Sequence, residues 1–151
     1  MLKNHFYDVY DLQHLSEIET VFKTDGLVGL NVTIPFKEKV VPYLDELSDE
    51  AEKTGAVNCI LIKDQVKKGY NTDVFGFEKT LVLHRKDFHD SALVLGNGGA
   101  AKAVKYVLEQ HQIPYQTVSR NADLNFGNLT AETVRKNRLI IQCTPVGTFP
   151  N

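Results

Sequence analysis

The sequence predicts a mixed α/β chain in two parts, with a parallel βαβ unit in the second. Three observations carry that expectation. The apolar run Ala92-Leu93-Val94-Leu95 leads straight into a glycine-rich turn, Gly96-Asn97-Gly98-Gly99. An alanine-rich periodic stretch from Ala100 to His111 follows, and then a β-forming run from Tyr115 to Val118; strand, helix and strand at this spacing form the unit of a parallel sheet. In the first half, Val57 to Lys63 and Val66 to Tyr70 are β-rich and separated only by Asp64-Gln65, which reads as a hairpin.

The remaining elements follow in order. His5 to Tyr10 is rich in β-formers and reads as a strand. Ser16 and Glu19 have capping-box spacing and open a short helix to about Phe22. Leu27 to Ile34, bounded by Gly26 and Pro35, reads as a buried strand. Pro35 suits a first helical position and Pro42 limits that helix. Ser48-Asp49-Glu50 starts a helix that Gly55 ends. Val74 to His84 reads as a helix with Phe77, Leu81 and His84 on one side, and Leu139 to Ile141 as a further strand. The polar run Arg85 to Asp90 separates the two parts.

Composition excludes several classes. The chain has 151 residues, and 17 Lys+Arg against 19 Asp+Glu give a net charge of −2. That is not the basic excess of a nucleic-acid protein. No run approaches a membrane span, and the first residues have no apolar signal core, so a cytoplasmic protein is expected. The two cysteines, Cys59 and Cys143, lack CxxC spacing and the five histidines are scattered, so no metal site is expected.

The glycine-rich turn Gly96-Asn97-Gly98-Gly99-Ala100-Ala101 fits G-x-G-x-x-[G/A] between a strand and a helix. Its glycines allow a tight turn and close approach to a pyrophosphate, which free amides at the helix start then hold. The alternative is a tight turn alone. At the end of the next strand, Val118-Ser119-Arg120-Asn121 has no acid to bond a ribose 2′-hydroxyl. Arg120 offers a planar fork for a 2′-phosphate, which favours NADP over NAD; otherwise it is a surface charge.

Two polar clusters mark the first half. In Asn31-Val32-Thr33-Ile34-Pro35-Phe36-Lys37, Asn31 and Thr33 share a strand face, and Lys37 is expected in the first turn of the next helix, where the dipole favours proton release. In Tyr70-Asn71-Thr72-Asp73 the plain reading of Asp73 is a helix N-cap. Asn58 alone reads as an edge-strand polar residue, and Lys37 alone as a solvated surface lysine. These residues indicate a site for a small hydroxylated molecule and no particular reaction.

Together the clusters resemble the shikimate dehydrogenase (shikimate 5-dehydrogenase) family. The matching stretches are Asn31 to Lys39, Gly55-Ala56-Val57-Asn58, Gly69 to Phe77, Gly96 to Ala103, Ser119-Arg120-Asn121 and Thr144-Pro145-Val146-Gly147, in the family's order. The resemblance implies an α/β substrate-binding domain over residues 1–85, lacking its first strand, and the N-terminal part of a Rossmann-type NADP-binding domain over residues 86–151. It implies NADPH-linked reduction of 3-dehydroshikimate to shikimate in aromatic amino acid biosynthesis. By matching position, Lys37 and Asp73 look like the catalytic pair, and Asn31, Thr33 and Asn58 like substrate ligands. Gly96, Asn97, Gly98, Gly99 and Ala100 look like the diphosphate loop, Ser119, Arg120 and Asn121 like the 2′-phosphate clamp, and Thr144 like part of the cofactor site.

Cys59, Ser119, Asn121, Gln142 and Thr148 depart from the family's usual residues, and we expect them to tune affinity. The family's Ser-x-Ser strand and its last Rossmann elements find no counterpart, so the chain reads as an internal piece. Open sheet edges would then favour a homodimer. The competing expectations are an inactive fragment that keeps nucleotide binding, and an NAD-linked quinate/shikimate dehydrogenase.

Overall fold

The computed structural model describes residues 6–147. Local sequence signals account for most of its elements. The hairpin forms as expected: β3 (Cys59–Lys63) and β4 (Val66–Tyr70) pair antiparallel with Lys63 opposite Val66. Asp64 and Gln65 take φ of 50° and 67°, the left-handed pair a two-residue hairpin turn requires. Helix α2 (Asp49–Thr54) is capped by Ser48, whose Oγ accepts from Ala51 N at 3.3 Å, and Gly55 closes it at φ 60°. Helix α3 spans Thr72–His84 and α4 spans Gly99–Gln110.

The strands form two sheets. The first has the order β1 (Gly29–Asn31), β3, β4, β2 (Glu46–Leu47), with β2 parallel to β4. The second has the order β6 (Tyr115–Val118), β5 (Ala92–Leu95), β7 (Leu139–Gln142), parallel throughout. As the central strand of that sheet, β5 has Ala92, Leu93 and Val94 completely buried. An all-parallel sheet covered by helices favours such a continuous apolar run.

Each sheet has its own core. Val40, Ala51, Val57 and Ile60 fill the first, together with Ile18 from the short helix α1 (Ile18–Val21). Ala101, Val104, Val107 and Leu108 recur on one face of α4 and pack over β5 in the second. Val74 and Leu81 of α3 join this second core, so α3 begins at the first sheet and buries its apolar side against α4. No helix among the described residues is long and apolar enough to cross a membrane.

Several expectations are corrected. Residues 6–10 form no strand; they are largely exposed and lack a pairing partner in the sheet order, and His5 lies outside the described residues. The first helix is a 3-10 turn, Leu15–Glu17, running into α1, and Glu17 Oε1 accepts from His14 N at 2.7 Å in place of a Ser16–Glu19 box. Strand β1 has only three residues. No α-helix starts at Pro35: residues 34–40 run as successive turns and lead to a 3-10 turn at Val41–Tyr43. His84 is exposed, unlike Leu81. Sequence patterns gave no warning of β2 or of α5 (Ala131–Lys136), whose Thr130 cap accepts from Thr133 N at 3.2 Å.

Gly29 lies where β1 meets β3, and a Cβ there would sit 2.5 Å from the Ile60 carbonyl oxygen. A backbone oxygen inside a sheet has little room to yield. Gly29→Ala is therefore expected to lower stability by about 1–3 kcal/mol. A thermal melt checks this, and an unchanged Tm would show that β1 is free to shift.

Candidate active site

Lys37 lies in the turns after β1, where its carbonyl accepts from Val57 N at 2.7 Å. Its Nζ donates to Asp73 Oδ2 at 2.7 Å. The second Asp73 oxygen accepts from Asn58 Nδ2 at 2.8 Å. Asn58 is in turn held by the head of α3, with its Oδ1 accepting from Thr72 N at 2.8 Å and its Nδ2 also donating to Thr72 Oγ1 at 2.9 Å. The Lys37 and Asp73 side chains are 17% and 35% exposed. The pair is thus fixed from the protein side and open from the other.

Two sequence arguments about these residues are revised. With no helix at Pro35, Lys37 does not lie in a helix's own first turn; Asp73, in the first turn of α3, is its electrostatic partner. Asp73 is not an N-cap either. Asn71 occupies that position, and both Asp73 oxygens are engaged by Lys37 and Asn58.

Asn71 was not a candidate residue on sequence grounds, yet it anchors the site. It is 2% exposed, and its Nδ2 donates to Thr54 Oγ1 and to the Ala56 carbonyl, both at 3.0 Å. These bonds tie the head of α3 to the end of α2. The sequence signal was its place among the capping-type residues Asn71, Thr72 and Asp73 directly after β4.

Asn31 and Thr33 lie at and beyond the end of β1, both exposed. Asn31 stands opposite Cys59 in the register and its Nδ2 donates to the Tyr7 hydroxyl at 3.1 Å. Val32 N donates to the Asn58 carbonyl at 2.9 Å, so the segment carrying Asn31 and Thr33 runs beside Asn58.

The glycine-rich turn reaches this group from the second sheet. Gly96 has φ +114°, and a Cβ there would lie 3.0 Å from the Cys143 carbonyl, so a side chain is excluded. A Cβ on Gly99 would lie 3.0 Å from Lys37 Cβ and 3.2 Å from its Cδ. The turn therefore packs directly on the Lys37 stem. A second link is the ion pair of Lys102 Nζ with Glu38 Oε2 at 2.7 Å. A Cβ on Gly98 would meet nothing within 4 Å, so the backbone there is open to a ligand. Gly98 is the N-cap and brings no side chain to the first-turn amides of α4, which have no acceptors within the helix. Open backbone and free amides fit a dinucleotide's phosphates.

The other nucleotide candidates border this turn. Gly96 N donates to the Val118 carbonyl at 2.8 Å, which puts the end of β6, and with it Ser119, Arg120 and Asn121, alongside. Arg120 and Asn121 are exposed. Thr144 follows β7; its Oγ1 donates to Gln142 Oε1 at 3.0 Å, and its Cγ2 would lie 3.2 Å from a Cβ on Gly96. Thr148 lies outside the described residues.

Comparison with known proteins gives this geometry a lineage. Residues 3–60 match the family profile described as shikimate dehydrogenase substrate binding domain. The shikimate dehydrogenase (NADP(+)) of Syntrophomonas wolfei is 40% identical over 158 residues, covering 91% of this chain and 54% of that protein. That of Methanosphaera stadtmanae is 33% identical over 160 residues, covering 93% and 56%. The chain is a relative of the shikimate dehydrogenases. It spans about half the length of the curated relatives it matches. The crystal structure of the Thermus thermophilus shikimate 5-dehydrogenase in complex with NADP(H) and shikimate aligns with a TM-score of 0.72 at 31% identity, covering 87% of this chain and 53% of that one. The two sheets thus align with the corresponding portion of a shikimate dehydrogenase, the first matching its substrate binding domain and the second being of Rossmann type.

Removing the buried Asn71 amide leaves the Ala56 carbonyl without that donor. Asn71→Ala is expected to cost about 1–3 kcal/mol of stability, read from urea unfolding. A loss within error would show that the link between α2 and α3 is held by packing alone.

Proposed function

We propose that the chain carries the catalytic and nucleotide-binding groups of an NADP-dependent shikimate dehydrogenase acting in the cytoplasm, reversibly reducing 3-dehydroshikimate to shikimate. The observation that carries this reading is the packing of Gly99 on Lys37, which brings a phosphate-binding turn against a lysine–carboxylate pair. The names of the relatives support the same chemistry. Residues 1–85 bind the substrate and residues 86–151 the nucleotide.

The division of labour follows from the groups. When bound, NADPH supplies the hydride to the carbonyl carbon. The Lys37 ammonium gives a proton to the oxygen that becomes the hydroxyl, and in the oxidation direction the amine takes that proton back. Asp73 holds the ammonium in place, and Asn58 fixes the carboxylate by occupying its other oxygen. Asn31, Thr33 and Asn58 face the substrate hydroxyls. The amides of the glycine-rich turn hold the diphosphate, Ser119, Arg120 and Asn121 take the 2′-phosphate, and Thr144 closes the cofactor site. Self-association through the open edges β1 and β2, or β6 and β7, belongs to the same reading, with a two-chain mass in sedimentation as its sign.

The direct test is the absorbance of reduced nicotinamide when the chain meets shikimate and NADP, with NAD in parallel. Turnover with NADP is the expected result, and a folded chain that binds neither NADP nor shikimate would sink the proposal. Lys37→Ala is expected to lower kcat by about 10²–10⁴-fold with little change in KM; an unchanged kcat would remove Lys37 from the proton path. Arg120→Ala is expected to weaken NADPH about tenfold and leave NADH nearly unaffected. Equal losses for both would refute the 2′-phosphate role.

A further inference from the structure

The nucleotide-binding set read from the motif ends at Ala100, yet another cation reaches the same turn. Lys105 lies on α4, and helical side chains lean back toward the N-terminus. Its Nζ donates to Asn97 Oδ1 at 2.5 Å, which sets the ammonium beside the turn.

That ammonium is poorly balanced where it stands. Among the described residues no carboxylate forms an ion pair with Lys105, whereas its neighbour Lys102 is neutralised by Glu38. Asn97 is a neutral acceptor. Burial works against the charged form and holds the Lys105 pKa below the ordinary lysine value, against weaker support from Cys143 and Glu109. A partly desolvated cation bonded to a phosphate-binding turn lacks one thing, an anion. The first-turn amides of α4 would hold the same anion from the other side.

We propose that Lys105 is a further nucleotide-binding residue, its ammonium bonding a diphosphate oxygen from the flank of the glycine-rich turn while Asn97 holds it in place. This rests on the nucleotide reading above. A diphosphate contact is common to NADPH and NADH, which separates it from the role of Arg120.

The test is a titration of the full chain with NADPH and with NADH, followed by the fluorescence of the bound nucleotide. Lys105→Gln is expected to weaken both by about tenfold or more, and to equal extents. Lys105→Arg should retain most of the affinity, because charge and reach are kept. Circular dichroism of each variant confirms the fold, and Asn97→Ala, which frees the ammonium without removing it, should weaken both nucleotides by less than Lys105→Gln. Unchanged affinity in Lys105→Gln would overturn the proposal while leaving the nucleotide site standing. So would a loss for NADPH alone, which would move Lys105 to the 2′-phosphate. Failure of the unmodified chain to bind either nucleotide would overturn both readings.

Discussion

The contact between Gly99 and the Lys37 stem is the constraint on which the site depends. At 3.0 Å from a Cβ to Lys37 Cβ, a side chain at residue 99 would have to displace the Lys37 stem. Because residue 99 is glycine, the start of α4 comes down onto the turns after β1. The Lys102–Glu38 ion pair then spans the same gap one helical turn along, and Lys53 lies 5.9 Å from the Tyr106 ring centroid on the neighbouring side of α4. Such partly exposed charge contacts are weak singly. Their effect is geometric, because they fix which face of α4 meets the first sheet.

The elements legible in the sequence were those whose signals are local. The hairpin has a two-residue turn, α2 has a serine cap and a terminal glycine, and α4 has periodic small and branched residues behind a glycine turn. The segments misread were those decided by tertiary contact. Residues 34–40 look like a helix start by composition, yet they hold their shape by bonds such as Val57 N to the Lys37 carbonyl and by Val40 buried in the first core. Strand β2 is two residues long and exists only because β4 lies beside it. No periodicity can be seen in two residues.

The candidate site divides along the same line. The glycine turn was visible from residue type and spacing and the Lys37–Asp73 pair only through the family resemblance, but that Asn58 occupies the second oxygen of Asp73 was visible in neither. It requires β3, β4 and the head of α3 to be assembled first. Asn71 was legible only as a capping-type residue, and its anchoring role depends on Thr54 and the Ala56 carbonyl, which lie well apart from it in sequence. The helix expected at Pro35 led to a dipole argument for Lys37. The observed geometry sets Lys37 against a carboxylate of opposite charge instead of the like-signed end of a helix dipole.

Helix α3 connects the two halves in a way that bears on motion. Its first turn carries Asp73, bonded to Lys37 and Asn58 of the first sheet, while Val74 and Leu81 are embedded in the core of the second. A helix of 13 residues is stiff along its axis. The head of α3 is bonded to the first sheet through Asn58 and Asn71 while its later turns pack in the second core, so Asp73 and Lys37 stay together on the first side. A change in the angle between the two sheets would therefore be taken up farther along α3 and leave the Lys37–Asp73 bond intact.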